Sequence, residues 1–205
     1  MEKNGLLHKV YWMYRNMRYR KVVGQWIQRG RPVPPPHKVK QLVIREYAQR
    51  HGIRVFVETG TFRGEMLDAV GDLFDRMYSI ELSTELYAKA REKFRGRRDI
   101  ELIQGDSGEE LGKILTALRE PALFWLDSHY SGGVTAKGVS ETPIFTEIAH
   151  ILDAQDLRHV LLIDDARLFG TNPDYPSIAE LSEFIISRRK DAAITVEDDV
   201  IRVIL

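Results

Sequence analysis

Six carboxylates, Glu58, Glu81, Asp106, Asp127, Asp164 and Asp165, each stand at or just past the end of a short apolar run. If those runs are strands of a parallel sheet, their ends share one edge and the six acids face one crevice. Like charges brought that close repel unless a cation joins them. A sulfonium cofactor, a metal ion or both would answer that need. The run Val55-Phe56-Val57 leads into Glu58-Thr59-Gly60-Thr61-Phe62-Arg63-Gly64, which turns through two glycines into a helix-like segment. Strand, tight backbone turn and helix start in succession are how an α/β sheet presents a cofactor. Glu81 ends the next apolar run, 23 residues after Glu58, about one βαβ unit. Its position suits the ribose hydroxyls of a nucleoside-carrying cofactor. His129 follows Asp127 by two residues, and an imidazole there could take a proton from a hydroxyl. The loop 131–142, with three glycines, Lys137 and Glu141, is long and polar enough for a substrate lid.

The elements that must position these residues follow from periodicity and breakers. Strands are expected at 54–58, 77–81, 100–104, 122–127 and 159–164, with helices between them at about 63–75, 84–95, 107–118 and 143–155. Ser83 and Asp106 supply N-caps for two of these helices. A further helix covers about 176–189. Two β-rich segments, 193–196 and 200–205, flank Glu197-Asp198-Asp199 and read as a closing hairpin. The expected fold is therefore α/β: a doubly wound, mostly parallel, seven-stranded Rossmann-like sheet with a terminal antiparallel hairpin.

Ahead of the sheet, residues 6–29 read as a basic, aromatic helix. Residues 32–36, Pro-Val-Pro-Pro-Pro, break it and mark the best boundary in the chain, and a second helix is expected at 38–50. This divides the chain into an extension, 1–36, and a domain, 37–205. Net charge is zero, but residues 1–54 hold 13 Lys/Arg against 2 Asp/Glu, leaving 17 and 28 for the remainder. A basic front end thus precedes an acidic body. The extension suits a cap over the active site, a peripheral contact with an anionic membrane, or a contact with another chain such as a homodimer partner. The acidic body opposes a nucleic-acid partner. The chain has no cysteine, hence no disulfide framework and no thiolate metal site, and a reducing cytoplasm is the simplest setting. No apolar run reaches the roughly 18–20 residues of a membrane span.

Glu58-Thr59-Gly60-Thr61-Phe62-Arg63-Gly64, the acid Glu81, Gln104-Gly105-Asp106-Ser107 and Leu126-Asp127-Ser128 resemble the successive motifs of class I S-adenosylmethionine-dependent methyltransferases. The resemblance covers about residues 53–205. Within that superfamily, Asp127 with Asp164-Asp165 is similar to the macrocin and novobiocin-type sugar O-methyltransferases, which hold a magnesium ion with three such aspartates. The resemblance implies that Glu58 and Thr59, with the backbone at Gly60, Thr61 and Gly64, shape the methionine side of the cofactor pocket. It implies that Glu81 and Leu82 serve the ribose, that Asp106 and Ser107 sit by the adenine, and that Asp127, Asp164 and Asp165 bind Mg2+. Catalysis would then rest on Asp127 and His129, and the acceptor would be a small polar molecule such as a sugar-bearing metabolite. Phe62 departs from the motif, since many members have a glycine there. His37, His51, His150 and His159 read as structural or surface residues. Two rival readings stand beside this one: a nicotinamide-dependent Rossmann oxidoreductase, and a non-catalytic binding module that docks through its basic helix.

Overall fold

A computed structural model of the protein describes residues 20–127, 143–154 and 157–205. Residues 20–28 are helical. After them come α1 (His37–His51), β1 (Val55–Thr59), α2 (Glu65–Val70), β2 (Arg76–Glu81), α3 (Thr84–Lys93), β3 (Ile100–Gln104), α4 (Ser107–Ala117) and β4 (Ala122–Leu126). The remainder comprises α5 (Ile144–Asp153), β5 (Val160–Ile163), a 3-10 turn (Ala166–Leu168), α6 (Ile178–Arg188), β6 (Ala193–Glu197) and β7 (Val200–Ile204).

The seven strands form one sheet in the order β3-β2-β1-β4-β5-β7-β6. The first five are mutually parallel, and β7 runs antiparallel to both β5 and β6. This is the expected doubly wound sheet with its closing hairpin. Each central strand alternates its side chains between two cores, as the pleat requires. Val57, Phe124, Leu126, Leu161 and Ile163 face one core, which α4, α5 and α6 cover with Leu111, Ile148 and Ile185. Phe56, Leu123, Trp125 and Leu162 face the other, which α1, α2 and α3 cover with Ile44, Leu67 and Phe94. Strands buried on both faces read as continuous apolar runs, which is why Ala122–Leu126 was legible as a strand.

Three elements differ from expectation. The helix after the glycine turn is shorter than 63–75. Gly64 enters it in the left-handed conformation (φ 63°), and the helix ends after Val70 at Gly71. The 3-10 turn at Ala166–Leu168 was not foreseen; it follows Asp165, which is itself left-handed at φ 57°. The capping box of α6, in which Ser177 and Glu180 satisfy each other's backbone N–H, fixes that helix's start two residues later than expected.

Of the basic extension, residues 20–36 lie within the described residues. Trp26 is buried there, and its indole N–H donates to the Pro32 carbonyl at 2.8 Å. Arg31 stacks over the Trp26 ring and reaches Glu197 and Asp198 of the hairpin, both at 3.3 Å. The positive front end is thus tied to acids of the body. No described helix is long and apolar enough to cross a membrane.

Candidate active site

The parallel register brings the predicted acids to one edge. Between β1 and β4 the strand order reverses direction, and the crevice at such a switch point is where α/β sheets bind ligands. Glu58 is the penultimate residue of β1 and Glu81 closes β2; Asp106 stands two residues past β3, and Asp127 and Asp164 directly follow β4 and β5. Backbone bonds lock these ends together. The Gly105 N–H donates to the Glu81 carbonyl, that of Asp127 to the Thr59 carbonyl, and that of Asp164 to the Leu126 carbonyl, all at 3.0–3.1 Å.

The glycine turn is built from within. The Gly60 and Thr61 N–H groups donate to the Ile80 carbonyl, and that of Gly64 to the Thr61 carbonyl. These amides therefore fix the turn with their own donors already used. Phe62 adopts φ 48°, a conformation costly for a residue with a Cβ. That twist aims its N–H at Glu81 Oε2, 2.7 Å away, while Ser83 N–H donates to Glu81 Oε1 at 2.8 Å. Glu81 is thus clamped through both oxygens, each keeping a lone pair for a further donor such as a ribose hydroxyl. Lys93, which the sequence did not single out, fastens the same turn from α3. Its ammonium donates to the Arg63 carbonyl at 2.7 Å and pairs with Asp68 at 2.6 Å.

Glu58 is buried and takes its hydrogen bond from Ser79 Oγ at 2.7 Å; Thr61 Oγ1 lies 2.6 Å from that same hydroxyl. Burial pushes the Glu58 carboxyl up to about 8 against the restraining Ser79 bond, and the charges of Asp127 and Glu81 add to the rise. Just past the end of β3, Asp106 caps α4 by accepting from the Gly108 N–H at 2.8 Å, and Ser107 is buried beside it. The Leu82 carbonyl accepts from Gln104 Nε2 at 3.3 Å.

The acceptor side differs from the expected metal centre. Lys40 of α1 extends its ammonium between the two C-terminal aspartates, 2.5 Å from Asp164 Oδ2 and 3.1 Å from Asp165 Oδ1. Asp164 also turns Oδ1 to the Asp165 N–H at 2.8 Å, and Arg167 reaches Asp165 Oδ1 at 2.7 Å. Asp164 is raised well above the ordinary carboxyl range by its burial, then by Asp127 and Asp165, against the pull of Lys40. Lys40 is raised despite its burial because the two carboxylates outweigh it. Among the described residues, no three acid or imidazole side chains are grouped to hold a metal ion. The physical reason is the lysine: a divalent ion on Asp164 and Asp165 would have to displace an ammonium already bonded to both. The residues present therefore do not fit Mg2+ as they stand. His129 and the 131–142 loop lie outside the described residues.

The remaining histidines divide as follows. The His159 ring accepts the Ala122 N–H at 3.0 Å in the core, and His150 Nε2 lies 2.9 Å from the Gly108 carbonyl, both structural positions. His37 stands exposed at the start of α1, its Nδ1 2.7 Å from Gln41 Nε2.

Neither protein-family models nor curated proteins give a match to the chain. Solved structures do. An O-methyltransferase from Bacillus cereus in complex with SAH superposes with a TM-score of 0.59 at 15% identity, over 91% of this chain and 90% of that one. The SAH-bound Podospora anserina methyltransferase PaMTH1 matches over 99% of this chain and 97% of its own, with a TM-score of 0.58 at 17% identity. The O-methyltransferase TomG from Streptomyces achromogenes, in complex with SAM, matches at 0.59 and 16% identity over 91% and 88%. This chain has the class I methyltransferase fold. At these identities the likeness is one of architecture. Glu58, Glu81, Asp106 and Asp127 lie on the edge formed by the C-terminal ends of the parallel strands, where open α/β sheets bind ligands. The lysine on Asp164-Asp165 comes from α1, ahead of the first strand.

Proposed function

We propose that the protein transfers a methyl group from S-adenosylmethionine to a hydroxyl of a small polar acceptor, such as a sugar-bearing metabolite. The observation that carries this reading is Glu81, held by the Phe62 and Ser83 amides in the crevice beside the glycine turn. A carboxylate fixed in that way is pre-set to accept two vicinal hydroxyls, at no further cost in ordering. The likeness of the whole chain to SAH- and SAM-bound methyltransferases supports the same reading.

When bound, the cofactor supplies an electrophilic methyl on a sulfonium; the acceptor oxygen forms the new C–O bond as the C–S bond breaks, leaving the thioether. The protein's own residues do the rest. Glu58 and the 60–64 turn form the methionine-side wall, Glu81 with Leu82 takes the ribose, and Asp106 with Ser107 borders the adenine. Asp127, at the end of the next strand, orients the acceptor hydroxyl, and His129 receives its proton. Most of the acceleration then comes from holding the two reactants in line.

The test is calorimetry of the full chain with S-adenosylhomocysteine, with NAD as the competitor. Micromolar or tighter binding that NAD does not displace supports methyl transfer. NAD binding in its place favours an oxidoreductase, and no binding of either removes the cofactor assignment.

A further inference from the structure

We propose that Lys40 is the resident cation of the acid cluster, standing where a divalent ion would otherwise balance Asp127, Asp164 and Asp165. The argument begins with charge. Asp164 and Asp165 are both buried, adjacent in sequence, and held at the same sheet edge as Asp127. Two carboxylates so close, out of water, need a counter-charge. Lys40 provides it to both in a defined geometry, with the Arg167 guanidinium also on Asp165: one ammonium N–H reaches each aspartate, and the lysine side chain is only 14% exposed. The lysine is 124 residues from Asp164 in sequence, so the contact is a tertiary feature, not a local coincidence of neighbouring charges.

The consequences differ from those of a metal. A bound Mg2+ keeps exchangeable positions for substrate oxygens and lowers the pKa of a hydroxyl that binds it. An ammonium offers three N–H donors and no coordination sphere. With two N–H groups on the aspartates, the third remains for an acceptor oxygen. The acceptor is then held by a hydrogen bond from Lys40, and proton removal falls to the protein's bases. The proposal concerns cation occupancy and does not depend on the methyl-transfer reading: it stands or falls on metal binding, while that reading stands or falls on cofactor binding.

The experiment is Mn2+ binding to the full-length protein, followed by calorimetry and by the electron paramagnetic resonance of free Mn2+. Wild type is compared with Lys40→Met, Lys40→Arg and Asp164→Asn. Wild type and Lys40→Arg should take up no stoichiometric Mn2+ at micromolar concentrations. Lys40→Met, freed of the ammonium, should bind one Mn2+ at least about tenfold more tightly than wild type, because the buried Asp164 carboxylate then loses its cation beside Asp165, which keeps the Arg167 guanidinium. The gain should vanish in Lys40→Met with Asp164→Asn. If Lys40→Met does not give a native circular dichroism spectrum, Lys40→Gln takes its place, with the same expectation. One equivalent of Mn2+ on wild type, lost in Asp164→Asn, overturns the proposal. So does a folded Lys40→Met or Lys40→Gln that binds Mn2+ no better than wild type.

Discussion

Glu58 and Ser79 face each other across the β1–β2 register, and the Ser79 hydroxyl donates to Glu58 Oε2 at 2.7 Å. The bond holds a buried carboxyl whose pKa is raised from 4.5 to about 8 by desolvation first, then by Asp127 and Glu81. A raised native pKa has a definite sign in stability. Between pH 4.5 and 8 the unfolded chain has released this proton and the native chain keeps it, so the native state loses ground as pH rises. The full loss, on the order of a few kcal/mol, is reached above pH 8 and is absent below the unfolded value. Urea denaturation of wild type should therefore show stability falling from pH 5.5 to pH 8.5. Glu58→Gln, which cannot ionise, should flatten that part of the slope and be the more stable protein at the alkaline end. Parallel slopes in the two proteins would mean that Glu58 is already ionised at neutral pH.

The same carboxyl links pH to the cofactor. A sulfonium near Glu58 favours its ionised form, so binding of S-adenosylmethionine should release a proton below pH 8 and tighten as pH rises toward it. S-adenosylhomocysteine, which lacks the sulfonium charge, should show less of this dependence. Calorimetry in buffers of different ionisation enthalpy reads the released proton directly. Equal proton release in wild type and Glu58→Gln would assign the effect to another group.

Glu81 should matter through affinity. It accepts from two backbone amides of the turns it joins, so Glu81→Ala removes both the clamp on Phe62 and Ser83 and the carboxylate proposed to take the ribose. Hydrogen bonds to a charged group contribute about 1.5–3 kcal/mol, so S-adenosylhomocysteine should bind roughly 10- to 100-fold more weakly. Glu81→Gln, which keeps one acceptor oxygen, should fall between. Wild-type affinity in Glu81→Ala would remove Glu81 from the cofactor site.

The strand-end placement of the acids was legible because local patterns carry that geometry. Apolar runs buried on both faces announced the strands, and a parallel sheet puts all their C-terminal ends on one edge. That was enough to gather Glu58, Glu81, Asp106, Asp127 and Asp164. It could not gather Lys40. A lysine on a helix ahead of the first strand has the signature of a solvated charge, and only the packing of α1 across the sheet edge brings it to Asp164. Lys93 was hidden in the same way, its partners being the carbonyls of a turn 29 and 30 residues earlier. The left-handed backbone at Phe62 and Asp165 was illegible for a different reason: both residues take a conformation that propensity assigns to glycine, and the surrounding hydrogen bonds hold them there.

Gly64 tests how tightly the cofactor turn is packed. A Cβ placed there would lie 2.4 Å from the Phe94 ring, and its φ of 63° is already unfavourable for any L side chain. Gly64→Ala should cost about 1–3 kcal/mol in chemical denaturation, from overpacking and backbone strain together. Phe94→Leu in the same chain should recover the packing part and leave the strain. No destabilisation in Gly64→Ala would mean that the turn and α3 move apart freely.

Asp199 and Arg31 set a buried ion pair against an exposed one on the same hairpin. The Asp199 side chain is 1% exposed, accepts the Arg167 N–H at 2.8 Å and pairs with the Arg167 guanidinium; its carbonyl accepts the Ala166 N–H at 2.9 Å. It thereby holds the loop that carries Asp165. Arg31 and Glu197 are about half exposed, and their 3.3 Å contact is open to solvent. Asp199→Ala leaves the Arg167 N–H without its acceptor and takes one of two carboxylates from the guanidinium, which keeps Asp165, and should cost about 1–3 kcal/mol. Arg31→Ala should cost about 0.5 kcal/mol, because water screens the pair it breaks. Raising the salt concentration should erase the smaller effect and leave the larger. The comparison is made by urea denaturation of each variant in low and high salt. If the two substitutions cost the same, Asp199 is not the anchor of the loop that carries Asp165.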